Sequence, residues 1–115
     1  MDERLVEKVL LWVGSSYADL LAFPEDARRL AGFQLGKVQA GLDPDDWKPF
    51  TQVGPGTREI RLRDESGAYR VMYVAKFEEA VYVLHCFQKR TQATTAHDKE
   101  IAETRYRAVV QERTP

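Results

Sequence analysis

Residues 58–87 read REIRLRDESGAYRVMYVAKFEEAVYVLHCF, and this stretch decides the fold. Charged and apolar residues alternate over residues 58–63, which predicts a half-buried strand. A compact turn at residues 64–67 leads into a second predicted strand at residues 69–76. Residues 81–87 are nearly all apolar, as expected of a central strand. The stretch therefore predicts a sheet made mostly of consecutive antiparallel strands.

The sequence before this stretch predicts one more strand and two helices. Residues 9–13 are apolar and partly β-branched, which favours a strand, and a short helical turn is expected at residues 17–21. A longer helix is predicted between Pro24 and Gly41, because apolar residues recur there at intervals of three and four. Residues 43–56 contain Asp-Pro, Lys-Pro and Gly-Pro-Gly, and we expect them to form a loop.

A closing helix is predicted after the last strand. Thr95 and Asp98 resemble a capping box, and the apolar residues expected on its buried side are Ile101, Ala102, Ala108 and Val109. The element order is then β-α-α-β-β-β-α. This order predicts an α+β fold, a small and mostly antiparallel sheet with the helices packed on one face and the other face free.

Length and composition limit the class of protein. A chain of 115 residues fits a single domain over residues 1–115. The longest apolar run, residues 9–13, is too short for a membrane span, and the N-terminus has no secretory signal pattern. One cysteine and two histidines predict neither a disulfide framework nor a metal site. We expect a cytoplasmic protein that needs no metal or other cofactor and makes no contact with membranes.

Positive charge is concentrated in the second half of the chain. The net charge is −1 overall, but residues 57–115 carry 11 Lys and Arg against 9 Asp and Glu. Seven of these cations lie on the predicted strands or at their ends: Arg58, Arg61, Arg63, Arg70, Lys76, Lys89 and Arg90. Alternation places Glu59, Arg61 and Arg63 on one face of the strand and Ile60 and Leu62 on the other. Arg70 is expected on the same open face as Arg61. The pattern favours a local surface for phosphate, and its alternative is a solvated strand face.

Several short segments, taken together and in order, resemble one known family. They are residues 12–16 (WVGSS), 23–25 (FPE), 36–41 (GKVQAG), 47–49 (WKP), 58–61 (REIR), 69–71 (YRV) and 83–92 (VLHCFQKRTQ). The chain resembles the phage-derived, HigB-type toxins of the RelE/ParE superfamily. That resemblance implies a type II toxin–antitoxin protein, an endoribonuclease that cleaves mRNA, commonly on the ribosome, and is restrained by a helix-turn-helix antitoxin of the HigA kind.

The resemblance also implies roles for individual residues. Arg70 matches the arginine that holds the scissile phosphate, Lys89 and Arg90 match the basic pair at the end of the last strand, and Arg61 matches a basic position on the first hairpin strand. Arg63, Lys76 and His85 are the other candidates for RNA contact. In such enzymes the ribose 2′-hydroxyl attacks the neighbouring phosphate without a metal, so a base, an anion-stabilising group and an acid are required.

The identity of the general base stays open at this point. Glu59 is a candidate, but a strand glutamate beside arginines also serves as a charge partner. Lys89 is a second candidate if neighbouring cations lower its pKa, and His85 is a third, with a structural role as its alternative. The C-terminal tyrosine that some relatives use has no clear match. Two other functions remain: a ParE-like toxin that inhibits a protein such as DNA gyrase, and an inactive homologue that only binds antitoxin.

Overall fold

The computed structural model describes residues 7–114, which form five strands and three helices. The elements are β1 (Val9–Trp12), α1 (Ser16–Leu21), α2 (Glu25–Gln39), β2 (Trp47–Pro49), β3 (Thr57–Asp64), β4 (Gly67–Val74), β5 (Ala80–Lys89) and α3 (Ala96–Arg113). The predicted α+β class is confirmed, and so is the predicted order, to which the structure adds the short strand β2.

The strands form one mixed sheet in the order β1-β5-β4-β3-β2. Strand β1 runs parallel to β5, and the other neighbouring strands are antiparallel. Strand β2 lies in the segment predicted to be a loop, where Lys48 pairs with Glu59. Its last residue, Pro49, lacks an N–H group, which an edge strand tolerates.

The helices cover both faces of the sheet. Helices α1 and α2 pack with Ile60, Val71 and other residues in one core, and α3 packs with Met72, Val74 and others in a second core. The expectation that all helices share one face therefore does not hold for α3. The physical reason is that β4 and β5 are apolar on both faces, so each face needs a cover.

Helix α3 begins at the predicted cap, where the Thr95 side chain accepts a hydrogen bond from the Asp98 backbone N–H at 3.2 Å. Its buried side consists of Ala102, Tyr106 and Val109, so Tyr106 takes the core position that we predicted for Ala108. The Tyr106 hydroxyl donates to the Pro55 carbonyl at 2.6 Å. Within the described part of the chain, no helix combines the length and the apolarity needed to cross a bilayer.

Helix α3 covers only the apolar half of its face of the sheet. The residues beneath it on β4 and β5 include Met72, Val74 and Leu84. The turn before α3 passes over Glu59, since the Thr94 hydroxyl donates to the Glu59 carboxylate at 3.0 Å. Beyond this turn the same face continues with charged residues, and this uncovered half is where the candidate site lies.

Candidate active site

The register of the sheet places the cations of three strands in adjacent rows. Arg61 pairs directly with Arg70, and Arg70 pairs with Phe87. In the next row Arg63 pairs with Ala68, and Ala68 pairs with Lys89. Because directly paired residues project to the same face, these side chains are neighbours on the uncovered half. The prediction that Arg61 and Arg70 share a face is confirmed.

These rows form a shallow cleft of about 500 Å³, which we call the basic cleft. Its lining consists of Arg63, Ala68, Arg70, Lys89, Arg90, Thr91 and Gln92. Ala68 lies between Arg63 and Lys89, and its side chain is so small that the volume between the two cations stays unfilled. The cleft thus offers several positive charges around a volume open to a phosphate group.

Arg70 is held in a fixed position at the inner side of the basic cleft. Its side chain is only 10% exposed, and its Nη1 donates to the Tyr69 carbonyl at 2.9 Å. Its Nε lies 3.7 Å from Oε1 of Glu59. Burial lowers the pKa of Arg70, and the Glu59 carboxylate opposes that effect, so the guanidinium stays charged.

Glu59 lies beneath the site rather than on its surface. Its side chain has no exposed area, Oε2 accepts from Thr94, and Oε1 lies 3.8 Å from Nζ of Lys48. A carboxylate without accessible surface does not reach a ribose hydroxyl, so the geometry makes Glu59 the charge partner of Arg70 and Lys48. This corrects its placement among the groups expected to act directly on RNA.

Lys89 is half-buried at the end of β5. Burial lowers the pKa of its ammonium group, and the neighbouring charge of Arg70 lowers it further. Arg90, the next residue, is exposed, and its guanidinium donates to the Gln88 side chain at 2.8 Å. Arg61 is more open than Arg70 and has Asp46 as a distant ion-pair partner at 3.9 Å.

Two residues predicted to contact RNA lie away from the basic cleft. Lys76 follows β4 at its far end, roughly 20 Å along the chain from Arg70, where its ammonium stands 5.3 Å from the centre of the Phe77 ring. His85 is buried, bonded to Asp98 at 2.8 Å and stacked on Phe87. Burial lowers the pKa of His85, and its bond to Asp98 opposes that effect.

The structure adds two residues that the sequence analysis did not select. These are Lys48 on β2, which forms an ion pair with the Glu59 carboxylate, and Thr94 before α3, which donates a hydrogen bond to it. A signal for Lys48 existed, because a lysine directly opposite a glutamate is a favourable cross-strand pair. It could be recognised only after residues 47–49 were known to form a strand.

A metal-based site has no support in the described residues. Within residues 7–114, no three His, Cys, Asp or Glu side chains stand close enough to hold one ion. Cys86 is buried under α1 and α2, and burial raises the pKa of its thiol, so this cysteine is a packed core residue.

A comparison with known families identifies the chain. The model of a family described as phage derived protein Gp49-like (DUF891) matches residues 18–107, more than three quarters of the sequence. The chain belongs to the Gp49-like family. This family is associated with RelE/ParE-like toxins, and the Gp49-like match contains the whole basic cleft. No curated protein matches the chain.

Proposed function

We propose that this Gp49-like protein is the toxin of a type II toxin–antitoxin pair, of the HigB type, and that it cleaves mRNA on the ribosome in the cytoplasm. The observation that carries the proposal is the convergence of Arg63, Arg70 and Lys89, from three neighbouring strands, on one cleft. Their charges match a site in which a single RNA phosphate gains negative charge during reaction.

The proposed reaction is attack of a ribose 2′-hydroxyl on the adjacent phosphorus. A bond forms between O2′ and phosphorus, the bond from phosphorus to O5′ breaks, and the products carry a 2′,3′-cyclic phosphate and a 5′-hydroxyl. The 2′-hydroxyl proton passes to a base, and a proton is delivered to O5′. Arg70, already immobilised by Glu59 and the Tyr69 carbonyl, stabilises the phosphorane without first losing conformational freedom.

Lys89 is the cleft residue suited to move a proton. Among the described residues that line the basic cleft it is the only lysine, and arginine side chains stay protonated. Its lowered pKa increases the neutral fraction that accepts the 2′-hydroxyl proton. Arg90, the residue after Lys89, then binds a phosphate that flanks the scissile one.

The proposed partner is a helix-turn-helix antitoxin of the HigA kind. An inhibitor of this cleft must neutralise or cover the charges of Arg63, Arg70, Lys89 and Arg90. We therefore expect it to present an acidic element there, since charge complementarity favours rapid and selective association. A neighbouring reading frame should encode such a protein.

The direct test is incubation of the purified protein with ribosomes programmed with a defined mRNA, followed by mapping of the RNA ends. Wild-type protein and the control Arg107→Lys, at an exposed arginine paired with Glu103, should give the same cuts with 2′,3′-cyclic phosphate ends. Arg70→Lys keeps the charge but loses the planar fork, so cleavage should fall at least a hundredfold. Growth arrest by Arg70→Lys with intact mRNA would contradict the proposal and favour a ParE-like protein target.

A further inference from the structure

One side of β5 lacks a partner strand over half of its length. Strand β1 pairs with residues 80–83, whereas β4 pairs along β5 as far as Lys89. In the described part of the chain, no strand lies beside residues 84–89 on the β1 side. An open strand edge presents N–H and C=O groups that are able to bind a ligand. The Leu84 carbonyl already accepts from Nη1 of Arg105 at 2.9 Å, and beyond it no side chain among the described residues bonds to the backbone of residues 85–89.

A cleft of about 520 Å³ lies over this open edge, and we call it the edge cleft. Ala22 and Phe23 at the end of α1 form one wall, and His97 and Ile101 at the start of α3 form the other. Cys86 and Phe87 of β5 form its base. The edge cleft thus combines apolar walls with polar side chains, among them Gln88 and Asp98, and with the strand-edge groups of β5.

The edge cleft and the basic cleft are joined by a smaller cleft. This third cleft shares Phe87, Gln88 and Asp98 with the edge cleft, and shares Lys89, Arg90 and Thr91 with the basic cleft. Phe87 precedes Lys89 by two residues, roughly 7 Å along an extended strand. When the phosphate of a ligand binds at Lys89, the group attached next to that phosphate therefore extends into the edge cleft.

From this continuity we infer that the edge cleft binds the nucleobase of the nucleotide next to the scissile phosphate, an inference that rests on the proposed function. Unpaired bases in single-stranded RNA are commonly held by stacking on aromatic rings and by hydrogen bonds to their polar edges. Phe87, whose ring lines the edge cleft and stacks on His85, supplies the aromatic surface, and the unpaired edge of β5 supplies donors and acceptors. A purely apolar ligand would leave those polar groups unsatisfied.

The test fills the edge cleft without touching the basic cleft. Ala22 is exposed at its rim and has a right-handed helical backbone, so Ala22→Trp is sterically acceptable at that position. Ala40→Trp is the matched control, because Ala40 also follows a helix but lines a different cleft, beside Lys76. The probe is a single-stranded RNA hexanucleotide with 2′-O-methyl riboses, which binds without being cleaved, and a set of its analogues that each lack one base.

With wild-type protein, removal of one particular base should weaken binding by about tenfold, and removal of the others should have little effect. Ala22→Trp should weaken binding of the intact RNA by a similar factor and should show no further loss with the sensitive abasic RNA. That non-additivity identifies the base with the edge cleft. Ala40→Trp should bind as the wild type does.

Two results would overturn the base subsite while leaving the proposed function intact. In the first, removal of the sensitive base weakens RNA binding equally in wild-type protein and in Ala22→Trp. In the second, a wild-type protein that cleaves mRNA binds every abasic RNA equally well. Protection of the β5 edge from hydrogen exchange by an acidic protein partner, but not by RNA, would also overturn it. Absence of both RNA binding and RNA cleavage in wild-type protein would overturn the proposed function and the subsite together.

Discussion

Glu59 and Arg70 are diagonal neighbours on β3 and β4, with Oε1 of Glu59 3.7 Å from Nε of Arg70 and the carboxylate completely buried. Burying a charge is costly unless a partner compensates it, so the pair depends on both members. The Tyr69 carbonyl accepts a further hydrogen bond from the Arg70 guanidinium. The result is an arginine fixed at the cleft before any ligand binds.

The first prediction concerns the loss of this partner. Glu59→Gln keeps the shape of the side chain but leaves Arg70 and Lys48 without their buried counter-charge. The free energy of unfolding should fall by about 3 kcal/mol, as expected when one member of a buried ion pair is removed. RNA cleavage should fall by more than tenfold because Arg70 is no longer held. Denaturant unfolding and single-turnover cleavage measure the two effects.

Glu65→Gln, in the exposed turn between β3 and β4, is the control and should change neither quantity. A Glu59→Gln protein with wild-type stability and activity would show that the buried carboxylate does not organise the site.

The second prediction concerns the space between Arg63 and Lys89. Ala68→Ile fills this space without changing any charge, and a β-branched residue suits a strand. RNA cleavage should fall by at least tenfold while thermal stability stays close to that of the wild type. Ala108→Ile, on the exposed side of α3, is the control. Undiminished cleavage by Ala68→Ile would mean that RNA does not enter the basic cleft.

The third prediction is a pH dependence set by Lys89. Burial and the charge of Arg70 lower its pKa, and the neutral amine is the proposed base. The cleavage rate should therefore rise with pH until the lowered pKa is passed. Lys89→Arg stays protonated, so its rate should be lower and should lack this rise. Lys76→Arg, far from the cleft, should keep the wild-type profile, and a persistent rise in Lys89→Arg would assign the proton transfer to another group.

The fourth prediction concerns stability rather than activity. Burial lowers the pKa of His85 below its usual value of 6.5, while Asp98 opposes that effect and Arg105 adds to it. The unfolded chain then binds more protons than the folded protein as the pH falls below about 6.5, so the free energy of unfolding decreases. Denaturant unfolding at pH 7.5 and about 5.5 should show this loss in wild-type protein and less of it in His85→Gln.

His97→Gln, at an exposed histidine on α3, provides the comparison and should behave as the wild type does across the same pH range. An identical pH dependence in His85→Gln and wild-type protein would contradict the assignment of the loss to His85.

Much of the fold could be predicted because local patterns agree with tertiary packing. Alternation over β3, the turn after Asp64 and the cap at Thr95 each depend on neighbours in sequence. The parallel pairing of β1 with β5 and the strand β2 could not be predicted in this way. Their partners lie far away in sequence, and Pro49 obscured a strand of only three residues.

The candidate site was predicted only in part, because some of its features also depend on residues that are far apart in sequence. Alternation predicts that Arg61 and Arg70 share a face, and the register confirms this, whereas Lys89 was assigned to the site through the family resemblance. Sequence spacing does not reveal how deeply Glu59 is buried, since that burial depends on Thr94 and β2. It also does not show that β4 ends at Val74, so that Lys76 lies beyond the strand and far from Arg70.

The most direct test of the central claim uses a ligand with one RNA linkage, a 2′-O-methyl dinucleoside monophosphate. Nitrogen-detected NMR of the arginine Nε and lysine Nζ groups follows its binding. Arg63, Arg70 and Lys89 should shift together along one binding curve, while Lys76 stays unchanged because it lies beyond the far end of β4. A shift of Lys76 without Arg70 and Lys89 would contradict the claim that the three strands hold one phosphate between them.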